Sequence, residues 1–66
     1  MPKQTFDVSV ENHGSIFLFR LLTVKARGWV SDNVYEPMWY GAALAVEHGY
    51  ARELADGMLT DGLRVH

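Results

Sequence analysis

Cysteine is absent from this chain, and proline occurs only at Pro2 and Pro37. Without cysteine there is no disulfide framework and no thiolate metal cluster. That exclusion matters for a chain of 66 residues. A domain of this size buries only about 60% of its unfolded surface and is marginally stable without a staple. Further burial has to come from self-association or from a bound partner. Long apolar runs are lacking too. Ile16–Phe19 falls far short of the roughly 20 residues that a membrane helix needs. No charged start followed by an apolar stretch marks a secretory leader. The expectation is a soluble, cytoplasmic protein with no membrane contact.

Chemistry-bearing motifs are equally scarce. Phosphate loops and dinucleotide fingerprints are missing, and Ser9, Ser15 and Ser31 lack a nucleophile-elbow context. His13, His48 and His66 fit neither HxH nor HExxH spacing, so no metal site is expected and ordinary turn histidines are the default. Glu53 and Asp56 stand three residues apart beside Arg52, as a solvated helix face would, rather than in two contrasting environments as acid–base work requires. The expectation is a protein that is not an enzyme, with no catalytic residue and no cofactor.

What is present is a globular composition, 48% hydrophobic and 21% charged, which argues against disorder. Residues 1–5, with Pro2, read as the frayed start of a single domain spanning 1–66. Phe6, Val8 and Val10 then alternate with Asp7, Ser9 and Glu11, the period-2 pattern of a half-buried strand. Asn12-His13-Gly14 supplies turn chemistry. Ile16 to Leu22 follows as a second strand, apolar on both faces except at Arg20. It carries more apolar surface than a sheet covered on one side can hide.

Thr23 can cap a helix running to about Asn33. Ala26, Trp29, Val30 and Val34 fall on one helical face. Gly28 inside that helix costs about 1 kcal/mol relative to Ala, which suggests close packing against a neighbour. Lys25 and Arg27 near the helix start, and Asp32 near its end, each oppose the macrodipole. Pro37 disfavours helical geometry at Glu36. Met38 to Glu47 mixes strand-forming aromatics with three alanines, and its length and Gly41 favour a strand buried on both faces. His48-Gly49 reads as a turn. Gly49 to Asp61 reads as a second helix carrying a Tyr50, Leu54 and Met58 stripe, with Gly62 at the left-handed C′ position and Leu63 folding back. Leu63 to Val65 can add a short last strand. The fold class is α+β, in the order β-β-α-β-α(-β), with two helices on one face of a three- to four-stranded sheet.

Charge is unevenly placed. Residues 1–30 carry four cations against two carboxylates, and residues 31–66 carry two cations against six. Those six, Asp32, Glu36, Glu47, Glu53, Asp56 and Asp61, form a candidate acidic partner-binding surface, weighed against an ordinary solvated exterior. Tyr35, Met38 and Tyr40 form a second candidate, an aromatic loop of interface composition. Ile16 and Leu18 are candidates for self-association if Phe17 and Phe19 face the helices. Arg20, Lys25 and Arg27 are the one set of basic residues that can converge for nucleic-acid binding, short of the basic stripe that such binding uses.

At VENHGSIFLF, AVEHGY and DGLRV the sequence resembles small proteins of bacteria and their mobile elements, a group with no assigned biochemical function. In size, acidic lean and lack of chemistry it also resembles phage-encoded anti-CRISPR inhibitors as a class. That likeness implies a protein that occupies a nucleic-acid-binding surface of a host effector, with carboxylates in place of phosphates. The expectation is a stoichiometric inhibitor contacting a protein partner, such as a CRISPR effector subunit, rather than nucleic acid itself. The alternative is a small accessory or regulatory interaction module, monomeric or weakly homodimeric. Direct nucleic-acid binding through Arg20, Lys25 and Arg27 is the third reading.

Overall fold

Antiparallel pairing organises the chain, which a computed structural model describes over residues 6–66. The elements are β1 (Val8–Asn12), β2 (Ile16–Leu21), α1 (Val24–Asn33), β3 (Met38–Tyr40), β4 (Ala43–Glu47) and α2 (His48–Thr60). The strands form one sheet in the order β1-β2-β4-β3, each antiparallel to its neighbour. The fold is a small α+β domain of β-β-α-β-β-α order. The frayed start expected for 1–5 lies outside the described residues.

The first hairpin forms as its alternation demands, with Val8 opposite Leu21 and Val10 opposite Phe19. The turn sits one residue later than Asn12-His13-Gly14. Asn12 ends β1, and its side-chain oxygen accepts from the Gly14 N–H at 2.8 Å. His13 N–H donates to the Ile16 carbonyl at 2.9 Å. Asn12 supports the turn with its side chain instead of occupying it.

Thr23 caps α1 as expected, its hydroxyl oxygen accepting from the Ala26 N–H at 3.1 Å. Ala26 and Val30 are buried, with Trp29 and Val34 packed at the margin. Gly28 does not pack closely against anything. A Cβ there would meet open space, so its presence has no packing reason. Lys25, misplaced for the dipole of its own helix, donates its ammonium to the Gly62 carbonyl at 3.2 Å. That carbonyl lies just past the C-terminus of α2, where a cation is favoured.

The expected single strand over 38–47 is corrected to a hairpin. Gly41 has φ of 61° while Ala42 keeps an ordinary backbone angle, and Tyr40 stands opposite Ala43. That is the pattern of a type II′ two-residue turn, which takes Gly at its first central position. The split creates the fourth strand. It also leaves β3 exposed along its whole length, while β4 carries the buried Ala43, Leu44 and Val46. Met38 to Tyr40 is therefore surface, not a strand buried on both faces.

α2 begins at His48, so His48-Gly49 opens the helix rather than making a separate turn. Ala51, Leu54 and Met58 are its buried residues, and Tyr50 drops out of the expected stripe to lie exposed. Its end follows the Schellman pattern. Leu63 N–H donates to the Met58 carbonyl at 2.9 Å and Gly62 N–H to the Leu59 carbonyl at 3.1 Å, with Gly62 at φ 92° as only glycine adopts readily.

Val8, Phe19, Leu21, Leu44 and Val46 share one sheet face and pack in a single core with Ala26, Val30, Leu54 and Met58. Both helices therefore cover the same face. They run antiparallel: Lys25 reaches Gly62, Trp29 lies over Gly57, and Val34 shares a cavity with Tyr50 and Leu54. The outer edge of β1 is closed by the C-terminus. Val10 N–H donates to the His66 carbonyl and His66 N–H to the Val8 carbonyl, each at 2.9 Å. Val65 bridges Val8 in parallel, so the expected last strand is a single short bridge.

Candidate functional site

Unequal strand lengths make the candidate site. β3 starts at Met38, opposite Ala45, so Val46 and Glu47 of β4 run on past its end. The chain entering β3 from α1 cannot fill that notch, because Glu36 turns it at φ 53° and Pro37 follows. The result is an open cavity of about 360 Å³. Leu44, Val46 and Leu54 reach it from the core, with Val34 and Pro37 on one side and Tyr50 of α2 on the other. Tyr35, Glu36, Met38 and Glu47 also line it.

Two of the three aromatic-loop candidates border this notch. Tyr35 is 89% exposed, Met38 70% and Tyr40 70%, with Trp39 at 49% between them. Tyr35 and Met38 line the cavity, whereas Tyr40 lies over the uncovered sheet face, sharing a second cavity of about 280 Å³ with His13, Ile16 and Leu18. The expected strand over 38–47, buried on both faces, would hide Trp39. Its exposure follows from β3 being an edge strand, which only the Gly41 turn makes it. Tyr50 was missed for a similar reason, since its spacing with Leu54 and Met58 suggested core.

The six carboxylates do not all share one place. Glu36 and Glu47 share the cavity. Glu53 and Asp56 lie exposed further along α2, and Asp32 is exposed at the end of α1. Asp61 caps the far end of α2, roughly 20 Å from Glu47 at 1.5 Å per residue. There it accepts the Trp29 indole N–H at 2.7 Å. Asp61 is thereby a tie between the helices.

The basic candidates diverge as well. Arg20 donates to Glu11 at 2.7 Å on the uncovered sheet face, Lys25 serves α2, and Arg27 reaches the Leu21 carbonyl at 3.4 Å. Glu11 also pairs with His13 at 3.1 Å. Hydrogen bonding from Arg20, then from His13, pulls the Glu11 carboxyl down from its ordinary value to about 2. Of the self-association pair, Leu18 is 6% exposed and hidden by its own chain, while Ile16 remains 36% exposed and borders both cavities. His48 lies against Phe17 and His66 against Phe6. Among the described residues no group of three or more His, Cys, Asp and Glu side chains is placed to hold a metal. Among them too, no helix is long and apolar enough to cross a membrane.

No family model, no curated protein and no solved structure matches this chain at a significant level.

Proposed function

We propose that this chain is a non-enzymatic, stoichiometric binding protein that docks a protein partner at the β3 corner. The observation that carries the reading is the run Tyr35 to Tyr40, in which Tyr35, Met38, Trp39 and Tyr40 are all exposed and the first two line a preformed notch. Tyr35 leads into, and Met38, Trp39 and Tyr40 form, an exposed edge strand, where apolar side chains grouped together mark an interaction surface. Aromatics and methionine grouped at a surface are the composition of an interface centre. The shape of β3 supports a closed contact. It is three residues long and follows a proline, which limits open-ended strand addition at this edge. The contact is thus made by side chains. An accessory or regulatory module fits this surface as well as an inhibitor does.

The test is affinity capture with a Tyr35→Ser, Met38→Ser, Tyr40→Ser triple variant. The expected result is the same partner bound at least tenfold more weakly, with an unchanged unfolding curve. Equal capture by the variant overturns the reading.

A second reading, the anti-CRISPR-like acidic mimic, is favoured by one observation. Asp32, Glu36, Glu47, Glu53 and Asp56 are exposed, and no ion pair among the described residues engages them. In that version the partner presents a basic groove, and association weakens as salt rises. Inhibition of DNA binding by purified effectors, lost on joint charge reversal at Glu53 and Asp56, supports it. No inhibition across several effector types removes it and leaves the β3-corner module.

A further inference from the structure

We infer that the notch beside β3 seats an arginine side chain presented by the partner, an inference that rests on the β3-corner docking reading. Charge complementarity selects this occupant. Glu36 and Glu47 both line the cavity, and no Lys, Arg or His does. Neither carboxylate is held by an ion pair among the described residues. The cavity thus carries two formal negative charges uncompensated by its own lining. Glu47 stands at the positive end of α2, whose partial charge of about one half unit offsets only part of one carboxylate.

The remaining lining selects arginine over lysine. Tyr35 and Tyr50 bring aromatic rings to the lining and Val34 and Met38 apolar side chains, a mix that suits a planar cation on a three-carbon stem. A guanidinium stacks on aromatic rings and pairs carboxylates through its fixed fork of donors, whereas an ammonium is a compact and strongly hydrated point charge. About 360 Å³ is at the small end of ligand sites, suited to one long side chain rather than a cofactor. A neutral apolar occupant would bury both carboxylates without a partner, which is costly.

The probe is the blocked tripeptide acetyl-Leu-Arg-Leu-amide, titrated into the ¹⁵N-labelled protein and followed by backbone amide shifts. Its citrulline counterpart, isosteric and neutral, is run beside it. The expected result is saturable shifts confined to residues 34–38 and 44–50, with at least tenfold weaker binding of the citrulline peptide. Glu36→Gln and Glu47→Gln should each weaken the arginine peptide by threefold or more, and Glu53→Gln should not. Equal binding of the two peptides, shifts elsewhere, or no shifts at all overturn the inference. Groove shifts that depend on protein concentration alone overturn it in favour of a second copy of this chain as the occupant. The outcome is separable from the docking reading. Loss of partner capture on changing Tyr35, Met38 and Tyr40 stands whether or not arginine is the seated group.

Discussion

The Thr23 hydroxyl donates to the Asp7 carboxylate at 2.7 Å while accepting the Ala26 N–H at 3.1 Å. The other Asp7 oxygen accepts the Arg64 N–H at 2.9 Å. One buried carboxylate thereby joins the start of β1, the cap of α1 and the C-terminal segment that closes the β1 edge. Thr23→Ala should lower stability by about 1 kcal/mol or somewhat more, the usual cost of a lost cap. Thr23→Ser should retain most of it. Urea unfolding of the three proteins checks this, and equal midpoints for Ala and Ser would refute the linkage.

Acid should weaken the fold through two identified carboxyls. The Arg64 N–H, then the Thr23 hydroxyl, hold Asp7 below its ordinary 3.8. Arg20 and His13 hold Glu11 at about 2, against 4.5. Both values are depressed in the folded state, so their contribution is complete above the unfolded values and is lost as pH falls through the folded ones. Stability should fall between about pH 4.5 and 2, the interval over which Glu11 is shifted. Glu11→Gln and Asp7→Asn should each flatten part of that slope. Glu11 is exposed to solvent screening, so its share should also shrink with added salt.

The second hairpin depends on Gly41. At φ 61° any side chain with a Cβ is strained by about 1–2 kcal/mol, so Gly41→Val should destabilise the protein by that order. The damage should be local. Amide shifts and exchange protection across Met38–Tyr40 should change first, because β3 contacts the sheet only through β4. Uniform destabilisation with β3 protection intact would contradict this.

Most of the fold is written in local sequence. The alternation at Phe6 to Glu11, the Thr23 cap and the Gly62 helix end were legible because each is set by residues a few positions apart. Gly41 carried two meanings, a tolerated strand glycine or a two-residue turn, and only pairing with Ala43 to Ala45 decides between them. Mistaking it made one long buried strand of an exposed edge and a buried centre. That single error hid Trp39 and the notch, since the notch exists only because β3 is shorter than β4. Lys25 opposes its own helix dipole for a reason that lies 37 residues away at Gly62, beyond any local pattern. Tyr35, Met38 and Tyr40 stand out by composition, whereas the separation of Asp61 from Glu47 depends on the length of α2.

The central claim, partner contact at the β3 corner, is tested most directly by site-specific photo-crosslinking in cells that supply the partner. A photoreactive residue is placed in turn at Tyr35, at Tyr40 and at Glu53 on the outer face of α2. The account predicts one discrete adduct from Tyr35 and from Tyr40, and none from Glu53. An adduct from Glu53 alone, or none from any position, would contradict it.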